Sequence, residues 1–178
     1  MTNTRSSEIA EAVDRSWPRE RADDELRLGW EFLNFLRITA VNKVAGLTRE
    51  QAAATPFPAS PHMNALGVLK HLTAVERWWF SIVAGGLDIP DLWLDADDHD
   101  ALFKLRDEDT PTAVVAAYRA EWPRSQEAIA GMAASDRVRR AGEDKTVRWI
   151  LTHLIQETAR HVGHLDVLRE FADGQVGE

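Results

Sequence analysis

The segment THLIQETARHVGHLD places His153, Glu157, His161 and His164 at relative positions 0, 4, 8 and 11. At about 100° per residue, a helix brings those four side chains into a sector of roughly 80°. Ile150, Leu154, Leu165 and Leu168 overlap or border that sector, so the polar stripe shares the face that turns inward. A carboxylate and several imidazoles buried without partners are costly, and a divalent cation satisfies them together. Glu157 and His161, one turn apart, present an oxygen and a nitrogen to the same ion. A further ligand must come from another helix, and the segment GVLKHLTAVERWWF offers His71, flanked at helical spacing by Val68, Val75 and Ile82. His71, Glu157 and His161 form a His2Glu set, which leaves one coordination position open and is a catalytic rather than a structural zinc pattern. His153 and His164, a turn or less from these ligands, are candidates for supporting the ligands or moving a proton. Trp78 and Trp79 follow His71 by about two turns and are candidates for lining a pocket mouth. The bland alternatives stay open at this stage. A histidine on an apolar helix face also serves as a hydrogen-bonded core residue, and i, i+4 Glu–His pairs occur on solvated faces. Trp30, Trp78, Trp79, Trp122 and Trp149 all suit the core of a helical bundle.

Four long amphipathic helices must carry these residues. Apolar positions recur at spacings of three and four from Asp23 to Gly46, with Asp23, Asp24 and Glu25 suited to the helix start. Thr48-Arg49-Glu50-Gln51 has capping-box form and predicts a short helical turn. Pro56, Pro58 and Pro61 then interrupt the chain, and a second long helix fits Met63 to Ala84, closed by Gly85-Gly86. Residues 87–109 read as a long acidic loop with Trp93 and Phe103 as anchors. Its run Asp95-Ala96-Asp97-Asp98-His99-Asp100 lacks the glycine and distal glutamate of a calcium loop and reads as a solvated stretch. Thr110-Pro111 starts a third helix running to about Met132, with a kink expected at Pro123; the fourth runs from about Thr146 to Ala172 and stops before Gly174. No segment alternates in the manner of a strand. The expected fold is all-α: a four-helix bundle with a long acidic crossover loop between helices 2 and 3. The expected organisation is a single domain over 1–178, with an N-terminal extension over 1–20 and a bundle core over 21–174.

Composition narrows the chemistry further. The 178 residues include 29 acidic and 21 basic side chains, for a net charge of −8, which argues against coating nucleic acid or an anionic membrane. No apolar run reaches a membrane span, and the start MTNTRSSEIAEA has no signal-peptide apolar region, so the character is cytoplasmic. The chain has no cysteine, which removes a thiolate-ligated zinc, an iron–sulfur cluster and a cysteine nucleophile. A thiol in the chemistry must come from outside the chain. Ser81 and Ser125 have no neighbouring base in sequence, and no phosphate-binding glycine motif occurs. Exposed helix faces leave a monomer and a homodimer both open.

The stretches LGVLKHLTAVERWWF and VRWILTHLIQETARHVGHLDVLRE together resemble the DinB-like superfamily, in its actinobacterial DUF664 branch. That branch is similar to mycothiol-dependent S-transferases and to the metal-binding domain of mycothiol-dependent maleylpyruvate isomerase. The resemblance runs from about Arg21 to Gly174. It implies a four-helix bundle that holds a divalent metal, usually zinc, through His71, Glu157 and His161; many DinB-like proteins have a third histidine where this chain has Glu157. It further implies mycothiol as co-substrate. The leading expectation is therefore a thiol S-transferase that activates the thiol as a metal-bound thiolate for attack on an electrophilic small molecule, with His164 or His153 taking the proton. A hydrolase using a metal-bound water, and a non-catalytic metal-binding module, are the alternatives. A His2Glu set also accepts Ni2+, Fe2+ or Mn2+.

Overall fold

A computed structural model describes residues 9–19, 24–93, 95, 97–98 and 100–177. Arg21, Asp23, Ala96 and His99, named above, lie outside them, as do residues 1–8 and 20 of the expected N-terminal extension. Helix α1 (Glu25–Val44) begins where the Asp24 carboxylate accepts a hydrogen bond from the Arg27 N–H at 3.0 Å. The short α2 (Arg49–Ala53) carries the expected capping box: the Thr48 hydroxyl accepts from the Gln51 N–H at 3.2 Å, and the Gln51 side chain accepts from the Thr48 N–H at 2.9 Å. Helix α4 (Pro111–Ala128) starts on a Thr110 cap with proline in its first turn and runs through Pro123. Helix α5 (Val147–Asp173) starts on Thr146 and ends on Gly174, whose φ of 79° suits a residue without a Cβ.

Three boundaries differ from the periodicity. Helix α3 (Ala65–Glu76) starts two residues after Met63, because the Asn64 side chain caps it by accepting from the Gly67 N–H at 2.7 Å. Beyond Glu76 the backbone does not continue as an α-helix. Arg77–Ala84 winds as a π-helix, and the Gly85 N–H donates to the Phe80 carbonyl five residues back at 2.8 Å. Over eight residues, apolar spacing cannot separate the two windings. Helix α4 also stops at Ala128 rather than Met132, where the Ala130 N–H turns to a carbonyl three residues back and Gly131 takes a φ of 76°.

Helix α1 lies along α5, while α3 and its π-helical continuation pack on α4 and α5. Gly29 permits the first contact, since a Cβ there would stand 2.5 Å from the Leu151 side chain. No strand forms among the described residues; isolated bridges join Asp95 to Asp98 and Arg137 to Thr146. The apolar core divides into two clusters. One gathers Val41, Val44, Leu66, Leu69, Tyr118, Leu165 and Leu168, the other Leu33, Phe80, Val83, Val147, Ile150 and Leu154. Along each long helix a buried polar residue falls between the side chains given to the two clusters: Arg37, Glu76, Ser125 and Thr158. Arg37 and Glu76 form a two-pronged ion pair, with Nε to Oε2 at 3.0 Å and Nη2 to Oε1 as the second prong, and the Ser125 hydroxyl donates to Glu76 at 2.8 Å. Trp30 and Trp122 flank the Arg37 guanidinium. Trp149, in contrast to its expected core position, is 43% exposed. Val147, Ile150 and Leu151 of the same turns are buried and take the inward face of α5, which leaves Trp149 on the outward one.

The 87–109 connection is tied down where expected. Trp93 and Phe103 are its aromatic anchors, the first within 5.2 Å of the Lys70 ammonium and the second stacked on His71. Lys70 itself is fully buried on α3, donating to the Lys104 carbonyl at 3.0 Å and to Asp109 at 2.8 Å.

Candidate metal centre

The helical register of α5 carries Glu157 and His161 to its inner face, and α3 brings His71 opposite them. The two imidazoles converge on one carboxylate oxygen. His71 Nε2 stands 3.2 Å from Glu157 Oε1, and His161 Nε2 stands 3.0 Å from the same atom. A ligand atom from each of the three residues lies within 4.8 Å of the others. The side chains are 18%, 16% and 13% exposed for His71, Glu157 and His161, so the cluster is shielded without being sealed.

The electrostatics suit a cation. Burial alone raises the Glu157 carboxyl, but hydrogen bonds and charge from His71 and His161 outweigh it and hold the group below its ordinary range. Burial, then repulsion from His71, lowers His161 to about 4 against the opposing pull of Glu157. At neutral pH the cluster is therefore an ionised carboxylate facing a neutral His161 imidazole, the protonation state in which such side chains ligate metal. Two nitrogens aimed at one oxygen, in a half-buried pocket, fit a divalent ion held by His71, Glu157 and His161.

The other histidines divide. His164 adjoins the cluster, its Nδ1 3.3 Å from the Nδ1 of His161. That contact meets the ring nitrogen of His161 that does not face Glu157, the position from which a neighbour sets tautomer and ring orientation. His153 stands apart: its ring stacks on Trp149, meets Trp79 edge-on, and bonds to Gln156.

Two cavities reach the centre. One, of about 280 Å³, is lined by residues that include His62, Met63, Asp100, Phe103, His161 and His164. The other, of about 270 Å³, is lined by residues that include His71, Val75, Trp78, Trp79, Asp91 and Leu102. Trp78 and Trp79 thus line a cavity together with His71. Sequence reasoning missed the roof over the site. Phe103 stacks on His71 with ring centroids 5.3 Å apart and planes at 23°, and its carbonyl would stand 3.1 Å from a Cβ on Gly67. The available signal was Lys70, a lone ammonium within the apolar run LGVLKHL that needed a buried partner.

The family model described as mycothiol-S-transferase matches residues 30–174, a span that includes His71, Glu157, His161 and His164. The chain belongs to the mycothiol-S-transferase family. Its all-helical fold is that of the DinB-like group to which this family is assigned. No curated protein matches the chain. The family match begins within α1 and ends at Gly174, the αL residue that terminates α5, so it spans all four long helices and the loop over the site. Among the described residues, no helix is long and apolar enough to cross a membrane.

Proposed function

We propose that this member of the mycothiol-S-transferase family is a metal-dependent thiol transferase that joins mycothiol to an electrophilic small molecule. The observation that carries the reading is the convergence of His71 and His161 on the Glu157 carboxylate, in a chain of this family. His71, Glu157 and His161 hold a divalent cation, for which zinc is the first choice and Ni2+, Fe2+ or Mn2+ also suit the donors. Such an ion supplies Lewis acidity, which deprotonates a coordinating thiol near neutral pH.

The protein's own groups do the rest. Glu157 would contribute the one anionic donor to a bound ion. His164 holds the His161 ring in place and offers a nitrogen to the thiol proton. Trp78 and Trp79 supply apolar walls that keep water from the reacting atoms. His153, wedged against Trp79 and Trp149, is assigned to orienting that wall, and proton relay is given to His164 alone.

The test is elemental analysis of protein purified with metal available, followed by conjugation of mycothiol to a chromogenic electrophile. One equivalent of divalent metal and metal-dependent conjugation are expected, with both lost in His161→Ala. Metal content that is unchanged by His161→Ala removes the reading.

A further inference from the structure

A metal-ligating imidazole almost always has a fixed partner at the ring nitrogen that faces away from the ion, and that partner sets the orientation of the ring. The two histidines of the centre differ in this respect. His161 turns Nε2 to Glu157, and its Nδ1 meets the Nδ1 of His164 at 3.3 Å. His71 also turns Nε2 to Glu157, but its Nδ1 is buried and has no hydrogen-bond partner among the described residues. What lies against the His71 ring is aromatic. Phe103 stacks on it with planes at 23°, and His161 meets it at a tilt with ring centroids 4.6 Å apart.

Phe103 is itself fixed from several sides. Lys70, the residue before His71, donates to the carbonyl of Lys104, the residue after Phe103, at 3.0 Å. The Phe103 N–H donates to the Asp100 carbonyl at 2.9 Å. Gly67, one turn before His71, leaves room for the Phe103 carbonyl, which would stand 3.1 Å from a Cβ there. The Phe103 side chain is half-buried and belongs to neither core cluster; the ring it meets is that of His71. Resting on the metal centre of the transferase reading above, we infer that Phe103 is a positioning residue of that centre: its ring face, held by the 87–109 loop, keeps the His71 imidazole turned toward Glu157. His164 does this for His161 by a polar contact, and Phe103 does it for His71 by stacking. The acidic loop is thereby part of the centre, although the proposed ligands all come from α3 and α5.

The test is titration of the metal-free full chain with Co2+ against a competing chelator, followed by visible absorption, which reports both affinity and the geometry of the donors. Phe103→Leu removes the flat ring face and keeps apolar bulk. It is expected to weaken Co2+ about tenfold or more and to change the absorption of the saturated protein. Phe103→Tyr, which keeps the face, is expected to stay within about threefold of wild type with an unaltered spectrum. Gly67→Ala alters the seat without touching the ring, and alanine suits a helix, so this variant folds. It is expected to shift both readings in the direction of Phe103→Leu by a smaller amount. Equal affinity and spectrum in wild type and Phe103→Leu overturn the inference. Weakening without spectral change overturns it too, since Phe103 then only shields the site, as does Phe103→Tyr as impaired as Phe103→Leu. In each of these cases Co2+ binding by the wild type leaves the transferase reading standing. Wild-type protein that takes up no divalent metal removes that reading and the role of Phe103 with it.

Discussion

At the scale of single residues, the centre is a set of groups whose protonation is prepared by their neighbours. His161 is lowered to about 4 from an ordinary value of 6.5, with burial as the first cause. The folded chain therefore binds fewer protons at this site than the unfolded chain between those two values. By linkage, stability falls as pH drops from about 6.5 toward 4 and is unaffected by this group above that window. Glu157, also lowered, adds to the loss in acid as it becomes protonated. Thermal unfolding of metal-free protein at several pH values should show this decline, and His161→Ala should reduce it. His164 acts on the centre through His161. His164→Ala is expected to weaken metal binding by about 10- to 100-fold, the usual cost of removing a group that orients a ligand, and His164→Gln, which keeps an acceptor, should restore part of it. A competition titration against a metallochromic chelator reads both variants directly.

At the scale of elements, the site depends on buried charges that hold the helices and the loop in register. Arg37 and Glu76 are 0% and 1% exposed and join α1 to the last turn of α3, immediately before the π-helix that carries Trp78 and Trp79. Removing one partner leaves the other charge uncompensated in the core. Glu76→Gln is expected to destabilise the fold by about 3–5 kcal/mol in urea unfolding. Exchanging both residues for apolar side chains of similar volume should cost much less. Lys70 does the same for the 87–109 loop, which it holds through the Lys104 carbonyl and Asp109. Lys70→Met strands Asp109 and releases the Lys104 carbonyl, so hydrogen exchange should accelerate across residues 101–109 while the centre of α5 stays protected. Gly67→Ala is a gentler probe of the same contact, since its Cβ would meet the Phe103 carbonyl at 3.1 Å and displace the roof over His71 by a few tenths of an ångström.

At the scale of the whole molecule, the proposed ligands come from α3 and α5, so a cation bound there ties two helices together. Ligand binding to the folded state alone adds stability by mass action. With metal at about a thousand times its dissociation constant the gain is about 4 kcal/mol, which for a chain of this size corresponds to a melting temperature higher by roughly 8–16 °C. Calorimetry with and without a chelator should show that shift, and His161→Ala should abolish it. The net charge of −8 bears on none of this directly.

Much of this was legible along the chain, for a local reason. A helix places residues at a regular 100° step, so the stripe of Glu157, His161 and His164, the caps at Thr48, Thr110 and Thr146, and the glycine after α5 follow from spacing and residue type alone. The absence of cysteine likewise settled that a thiol could only be a separate molecule. What spacing cannot carry is distance between elements. That His71 meets the same oxygen as His161, while His153 turns away to Trp149, depends on how α3 lies against α5. The burial of Lys70 and the seat of Phe103 on His71 were decided only in the tertiary structure, because each depends on a partner dozens of residues away in the chain.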